Sequence, residues 1–273
     1  MRTKQRLAIR LMLGVPFFHV MPAWAGTDTA TPAPSMISIN AETQEFSRDF
    51  GSLRSVRIEY KDVFDSTTAL FTPVVGRRTN ATTSETSLGG GLEIYQKWSP
   101  DISTRTAIFV SEDKPVFARI DFAQDVTVAF GKQSTGTVGV RWAEYANGEK
   151  TFFISAGGRR YFNGGSFAYR ATYTRPNSGD SFVAHLVNLT INDPTGRGKT
   201  QLWLGYGETA ADRSPFNSNF SGHDYGGTVR RVQPLGDGKI DAVFLLGVTS
   251  YGNLSGRVWG KTAGLGLSLN LGN

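Results

Sequence analysis

Apolar and polar residues alternate along most of this chain with a period of two. Val56, Ile58 and Tyr60 interleave with Ser55, Arg57 and Glu59; Val126, Val128 and Phe130 with Thr127 and Ala129. Val138, Val140 and Trp142 flank Gly139 and Arg141, Phe167, Tyr169, Ala171 and Tyr173 flank Arg170 and Thr172, and Leu202, Leu204 and Tyr206 flank Trp203 and Gly205. The chain closes on Leu265, Leu267, Leu269 and Leu271, separated by Gly266, Ser268 and Asn270. Successive side chains of a strand point to opposite faces, so each run predicts a strand with one apolar and one polar face. No long stretch follows the 3.6-residue helical period.

Fourteen strands are predicted, near 36–46, 52–61, 67–77, 86–98, 102–111, 121–131, 135–146, 150–161, 165–175, 181–192, 199–208, 224–234, 239–250 and 257–272. The first, third and thirteenth alternate poorly, so counts of 12 or 16 also fit. Their lengths suit the ~9–11 residues a tilted strand needs to cross a bilayer. Connections alternate between short ones (99–101, 163–164, 235–238) and long polar ones (111–120, 208–223). Membrane barrels have short periplasmic turns and long outer loops, which places both termini in the periplasm. Tyr60, Trp98, Trp142, Tyr173 and Tyr206 fall at strand ends on the apolar faces, where an interfacial girdle would lie. The expected fold is all-β, an antiparallel transmembrane barrel of about 14 strands, with the leucine stripe as the lipid face of the closing strand. A soluble sandwich is the alternative, since its outer face also tolerates charge in mid-strand.

The first 25 residues read differently. Arg2, Lys4, Arg6 and Arg10 precede an apolar run from Leu11 to Met21 and an Ala23-Trp24-Ala25 site, the pattern of a secretory signal peptide rather than an anchoring helix. Residues 26–35, rich in Thr, Ala and Pro, are expected as a flexible periplasmic leader, and 36–273 as the barrel domain. Removing the signal leaves 25 basic and 23 acidic residues of the chain's 29 and 23, so the basic balance is mostly a leader effect and gives no support for a nucleic-acid partner. The chain has no cysteine, so the fold relies on no disulfides.

Candidate chemistry is sparse. Gly198-Lys199-Thr200 invites a phosphate-loop reading, but the required preceding glycine is Asp193 and a strand follows instead of a helix. The glycines at 89–91, 205 and 207 read as strand glycines facing the lumen. After the signal only His185 and His223 remain, which supports neither a metal site nor a cofactor, and a catalytic triad would rest on His223 alone. An enzyme is not expected. Charge on the polar faces, Arg57, Glu59, Glu93, Arg105, Arg141 and Arg170, would line the lumen. The stretch KPVFARIDFAQD (114–125) sets Lys114, Arg119, Asp121 and Asp125 around Val116, Phe117 and Phe122. It is either a loop folded inward onto lumen arginines, narrowing a channel, or an outer loop held by weak surface ion pairs.

That stretch, with NDPTGRGKTQLWLGYG at 192–207 and RRVQPL at 230–235, resembles the YaiO family of outer-membrane β-barrel proteins, in order and spacing. The resemblance runs from about residue 50 to the end. It implies a single barrel in a bacterial outer membrane, with outer-membrane lipid and the barrel assembly machinery as partners, and brings no catalytic residues. The family resembles the barrels of exopolysaccharide export porins, which suggests polysaccharide-export components as further partners by analogy. Family members tend to end in an aromatic residue, whereas this sequence ends Leu271-Gly272-Asn273. The expected function is a passive pore or conduit for polar solutes or polysaccharide, with the lumen arginines setting selectivity. The alternative is a non-conducting structural or surface-recognition barrel acting through loops such as 212–224.

Overall fold

The computed structural model describes residues 35–48, 50–146, 148–177, 180–195, 197–207, 224–236, 239–252 and 257–271. The signal, most of the leader, His223, nearly all of loop 212–224 and the last two residues lie outside the described residues. Among the described residues every regular element is a strand: β1 (Met36–Phe46), β2 (Gly51–Phe64), β3 (Thr67–Thr79), β4 (Ser84–Lys97), β5 (Ile102–Ser111), β6 (Ile120–Phe130), β7 (Ser134–Glu144), β8 (Lys150–Phe162), β9 (Gly165–Pro176), β10 (Phe182–Asn192), β11 (Lys199–Gly207), β12 (Asp224–Leu235), β13 (Ile240–Tyr251) and β14 (Val258–Asn270). Each pairs antiparallel with its sequence neighbour, and β14 returns to β1, closing a 14-stranded barrel. Closure leaves no strand edge unpaired, which a bilayer requires.

The closing seam answers for the leucine stripe. Ile37 pairs with Leu269, Ile39 with Leu267 and Ala41 with Leu265. Leu267 and Leu269 are 52% and 44% exposed, while Ser268 between them is 7%. The leucines therefore face outward and the polar set faces the lumen. Tyr60, Trp98, Tyr173 and Tyr206 also stand outward. One expectation needs correcting: Gly90 faces outward, because it lies between outward Leu88 and Leu92, and only Gly89 and Gly91 of that run face the lumen.

The termini and the connections 65–66, 98–101, 131–133, 163–164, 193–198 and 236–239 share one end of the barrel, hereafter the turn end; the connections 112–119 and 208–223 lie at the other, the loop end. At Asn163-Gly164, Gly164 takes φ +84°, the conformation that tight hairpins demand and glycine supplies without a Cβ clash. The β2–β3 ladder lapses opposite Pro73, which has no N–H to donate.

Candidate functional site

The lumen is the candidate site, and three layers fill it. At the loop end the segment 112–119 folds inward. Val116 and Phe117 are buried, at 0% and 1% exposure, in a cluster with Phe46, Leu53, Val74, Phe109, Tyr251 and Val258. Phe117 meets Phe109 edge-on at 5.9 Å and lies against the bare backbone of Gly76, where any Cβ would collide with its ring. Ala118 joins Ala143, Tyr145 and Phe153 on the far wall. The loop is pinned as well as packed: Ser111 N donates to Arg119 O at 3.0 Å, Ser111 Oγ to Ala118 O at 2.9 Å, and Lys114 Nζ to Thr86 O at 2.7 Å. Glu112 accepts from Leu88 N at 3.1 Å and from Lys114 at 3.0 Å, which holds its carboxyl below the usual range, the Lys114 bond first. Of the two arrangements open for KPVFARIDFAQD, the chain adopts the inward one, an apolar plug.

Beneath the plug lies a belt of ion pairs. Arg105 donates to Glu93 at 2.8 Å and to Asp125 at 3.1 Å; Asp125 also receives Arg170. Arg141 pairs with Asp121 and stacks on Phe153 at 4.9 Å, and Arg119 pairs with Glu144. Gly139 lies where a Cβ would strike the Asp125 carboxylate and the Arg170 guanidinium, so a glycine there lets the two meet. All six lumen-charge candidates face the lumen. Glu93 is the nearer partner of Arg105, while Asp125 is shared by Arg105 and Arg170 and Asp121 holds Arg141; both aspartates belong to the KPVFARIDFAQD motif. Arg57 and Glu59 are 3.9 Å apart on β2.

The third layer is open space. A cavity of about 220 Å³ runs from the β2–β3 and β4–β5 turns at the turn end up to Arg105 and Arg170, walled by Tyr95, Arg159, Asn188, Gln201 and Trp203 among others. Beside it stands a cluster of cations that the sequence reading missed. Arg230 donates to Gln201 at 3.2 Å, Arg159 to Ser166 at 2.9 Å, and the charges of Arg230, Lys61 and Arg159 all reach Lys199, with Asp241 and Glu59 as acids beside them. Lys199 opens β11, at the start expected for that strand. The parity of Arg230 is hidden by its neighbour Arg231, which points outward. Strand parity counted back from Leu235 would have placed Arg230 inside.

The other two motifs converge at the turn end. Arg231 grips Asp193 with both nitrogens, at 2.6 and 2.5 Å, and donates to Thr200 at 3.2 Å, clamping the 193–198 turn to β12. These bonds hold the Asp193 carboxyl below its ordinary range. Gly198 is required here, since a Cβ would meet that carboxylate. No phosphate cradle forms. His185 faces outward, its Nδ1 2.7 Å from Tyr169 Oη with the rings stacked, an arrangement suited to a membrane boundary. Among the described residues no three His, Asp or Glu side chains converge to hold a metal.

Comparison with known proteins fits this architecture. A polysaccharide outer-membrane secretin matches with a TM-score of 0.57 at 7% identity, covering 89% of this chain and 100% of that one. The CymD monoaromatic hydrocarbon channel matches with a TM-score of 0.67 at 5% identity, covering 89% and 90%. The Acinetobacter baumannii outer-membrane protein Omp33 matches at 0.50 and 10% identity, covering 88% and 100%. Identities this low speak for the fold alone. The description "YaiO membrane beta barrel domain" matches residues 34–210, more than half of the sequence, and the chain belongs to that family of outer-membrane barrels.

Proposed function

We propose that this protein is a passive outer-membrane channel for polar, preferentially anionic or hydroxyl-rich solutes, polysaccharide segments included. The observation that carries this reading is the cavity at the turn end, lined by Lys97, Arg105, Arg159 and Arg170 against the carboxylates of Asp65 and Asp101, with Lys61, Lys199 and Arg230 clustered near Arg159 and Gln201. Water-filled lumens lined with one sign of charge select ions of the other. Trp203 and Tyr95 give the wall flat apolar faces beside hydrogen-bonding Asn188 and Gln201, a combination that suits sugar rings. The secretin's polysaccharide transport, as its name has it, suggests that class of solute. Flux through protein refolded in liposomes tests the proposal. Wild-type vesicles should pass small anions faster than cations, and K61Q/K199Q should reduce that preference; unchanged selectivity would remove the basic cluster from the pathway.

The plug favours a second reading, a barrel that conducts nothing. Vesicles that stay tight around closed barrels, both for the wild type and for a variant whose plug has been released, would establish it.

A further inference from the structure

The outward faces of β1 to β4 end at the loop end in a polar rung. Thr43 pairs with Arg54, Arg54 with Arg77 and Arg77 with Thr86. One step nearer the turn end, about 7 Å along the strands, the same faces carry Ala41, Val56, Val75 and Leu88. Arg54 and Arg77 are both exposed and stand directly opposite each other at the upper margin of the apolar band. Like charges opposed across a ladder repel. The nearby carboxylates do not relieve them: Glu45 is in register with Lys261, and Glu112 holds Lys114. Among the described residues neither arginine has an ion pair. Arg77 Nε donates to Ser84 Oγ at 3.0 Å, a neutral partner. Lys114, anchored on Thr86 O at the same height, is already paired with Glu112.

We infer that this rung is a binding site for a lipid phosphate in the leaflet on the loop side, with Arg54 and Arg77 gripping its oxygens and Ser84, Thr43 and Thr86 at hand as neutral hydrogen-bonding groups. Guanidinium matches phosphate geometrically, and the low-dielectric band just below places the acyl chains of such a lipid against Val56, Val75 and Leu88. Two opposed arginines with no acid between them are the arrangement a dianionic headgroup compensates. The site lies on the barrel's outside, independent of the lumen and of the proposed solute.

The test uses full-length mature protein refolded in detergent, with bis-phosphorylated lipid A and its dephosphorylated form as probes, and native mass spectrometry as readout. Each arginine near an anionic lipid contributes a factor of about five, so R54Q/R77Q should weaken lipid A binding about thirtyfold, while R54K/R77K stays much closer to the wild type. The dephosphorylated lipid should bind wild type and double variant alike. Unboiled gel mobility verifies closure; if the double variant fails to close, R54Q and R77Q alone should each lose about fivefold. Equal binding of lipid A to wild type and variants, or equal binding of both lipids to the wild type, overturns the site. So does inorganic phosphate that displaces lipid A completely at equal concentration, which would mark a free-anion site.

Discussion

Replacing Phe117 by Ala probes the plug where its energetics are simplest. The side chain is 1% exposed, packed on Phe109 and on the backbone of Gly76. Burying a phenylalanine contributes about 1.5–3 kcal/mol, and truncating one in a core that cannot collapse costs about 3–5. A value near 3 kcal/mol is reasonable here, because a loop tethered at both ends relaxes more than a strand. Ordering each loop residue costs about 1–2 kcal/mol, so the docked state of 112–119 is held by a modest surplus from Val116, Phe117, Ala118 and the pinning bonds. Losing ~3 kcal/mol shifts docked against undocked loop by roughly a hundredfold. The strand ladder is untouched, so the urea midpoint and the unboiled mobility should stay near wild type. Single-channel recordings in planar bilayers should show a larger or more frequent conducting level for F117A than for the wild type. Trypsin cleavage after Arg119 reports independently whether the loop has left the lumen. A released loop with wild-type conductance would refute the plug as the constriction.

Asp125→Asn leaves Arg105 and Arg170 without their shared acid in a largely buried site, so the urea midpoint should drop by an amount equivalent to about 3 kcal/mol; a loss below 1 would mean that lumen water screens the pair. Gly139→Ala should cost a comparable amount by driving the same carboxylate off Arg170, and D125N/G139A should then fall short of the sum of the two single losses. The Asp193 carboxyl is lowered by Arg231, so its contribution is present above the ordinary aspartate range and disappears as pH falls through the lowered value. Hydrogen exchange at the Asp193 amide, which donates to Gly198 O at 2.8 Å, should therefore accelerate below about pH 4 beyond its intrinsic pH dependence, and D193N should lose that acceleration. Leu246→Arg, mid-strand on β13 and 67% exposed on the outer face, should destabilise the barrel in a bilayer by about 2–4 kcal/mol; a neutral result would mean that this face does not meet lipid.

Much of this protein is written in its period-two pattern. Where the inward face of a strand is mostly small or polar, as in β7, β9 and β14, the alternation gives element, face and strand bounds within a few residues, and the turns supply the hairpin rhythm. The strands that alternate poorly do so for a physical reason visible only in three dimensions. Val74 on β3 and Val243 and Tyr251 on β13 are apolar residues facing inward, and Val74 and Tyr251 belong to the plug, so both faces of those strands are apolar. The same limit applies to the lumen. Sequence parity placed Arg57, Arg105, Arg141 and Arg170 inside, because parity is local. It gave no means of pairing Arg105 with Asp125 or Arg231 with Asp193, 20 and 38 positions away, since those distances are set by strand order and register around the closed sheet. Which charges are neutralised inside the lumen, and which stand beside the cavity, was decided by barrel closure and by the inward fold of one loop.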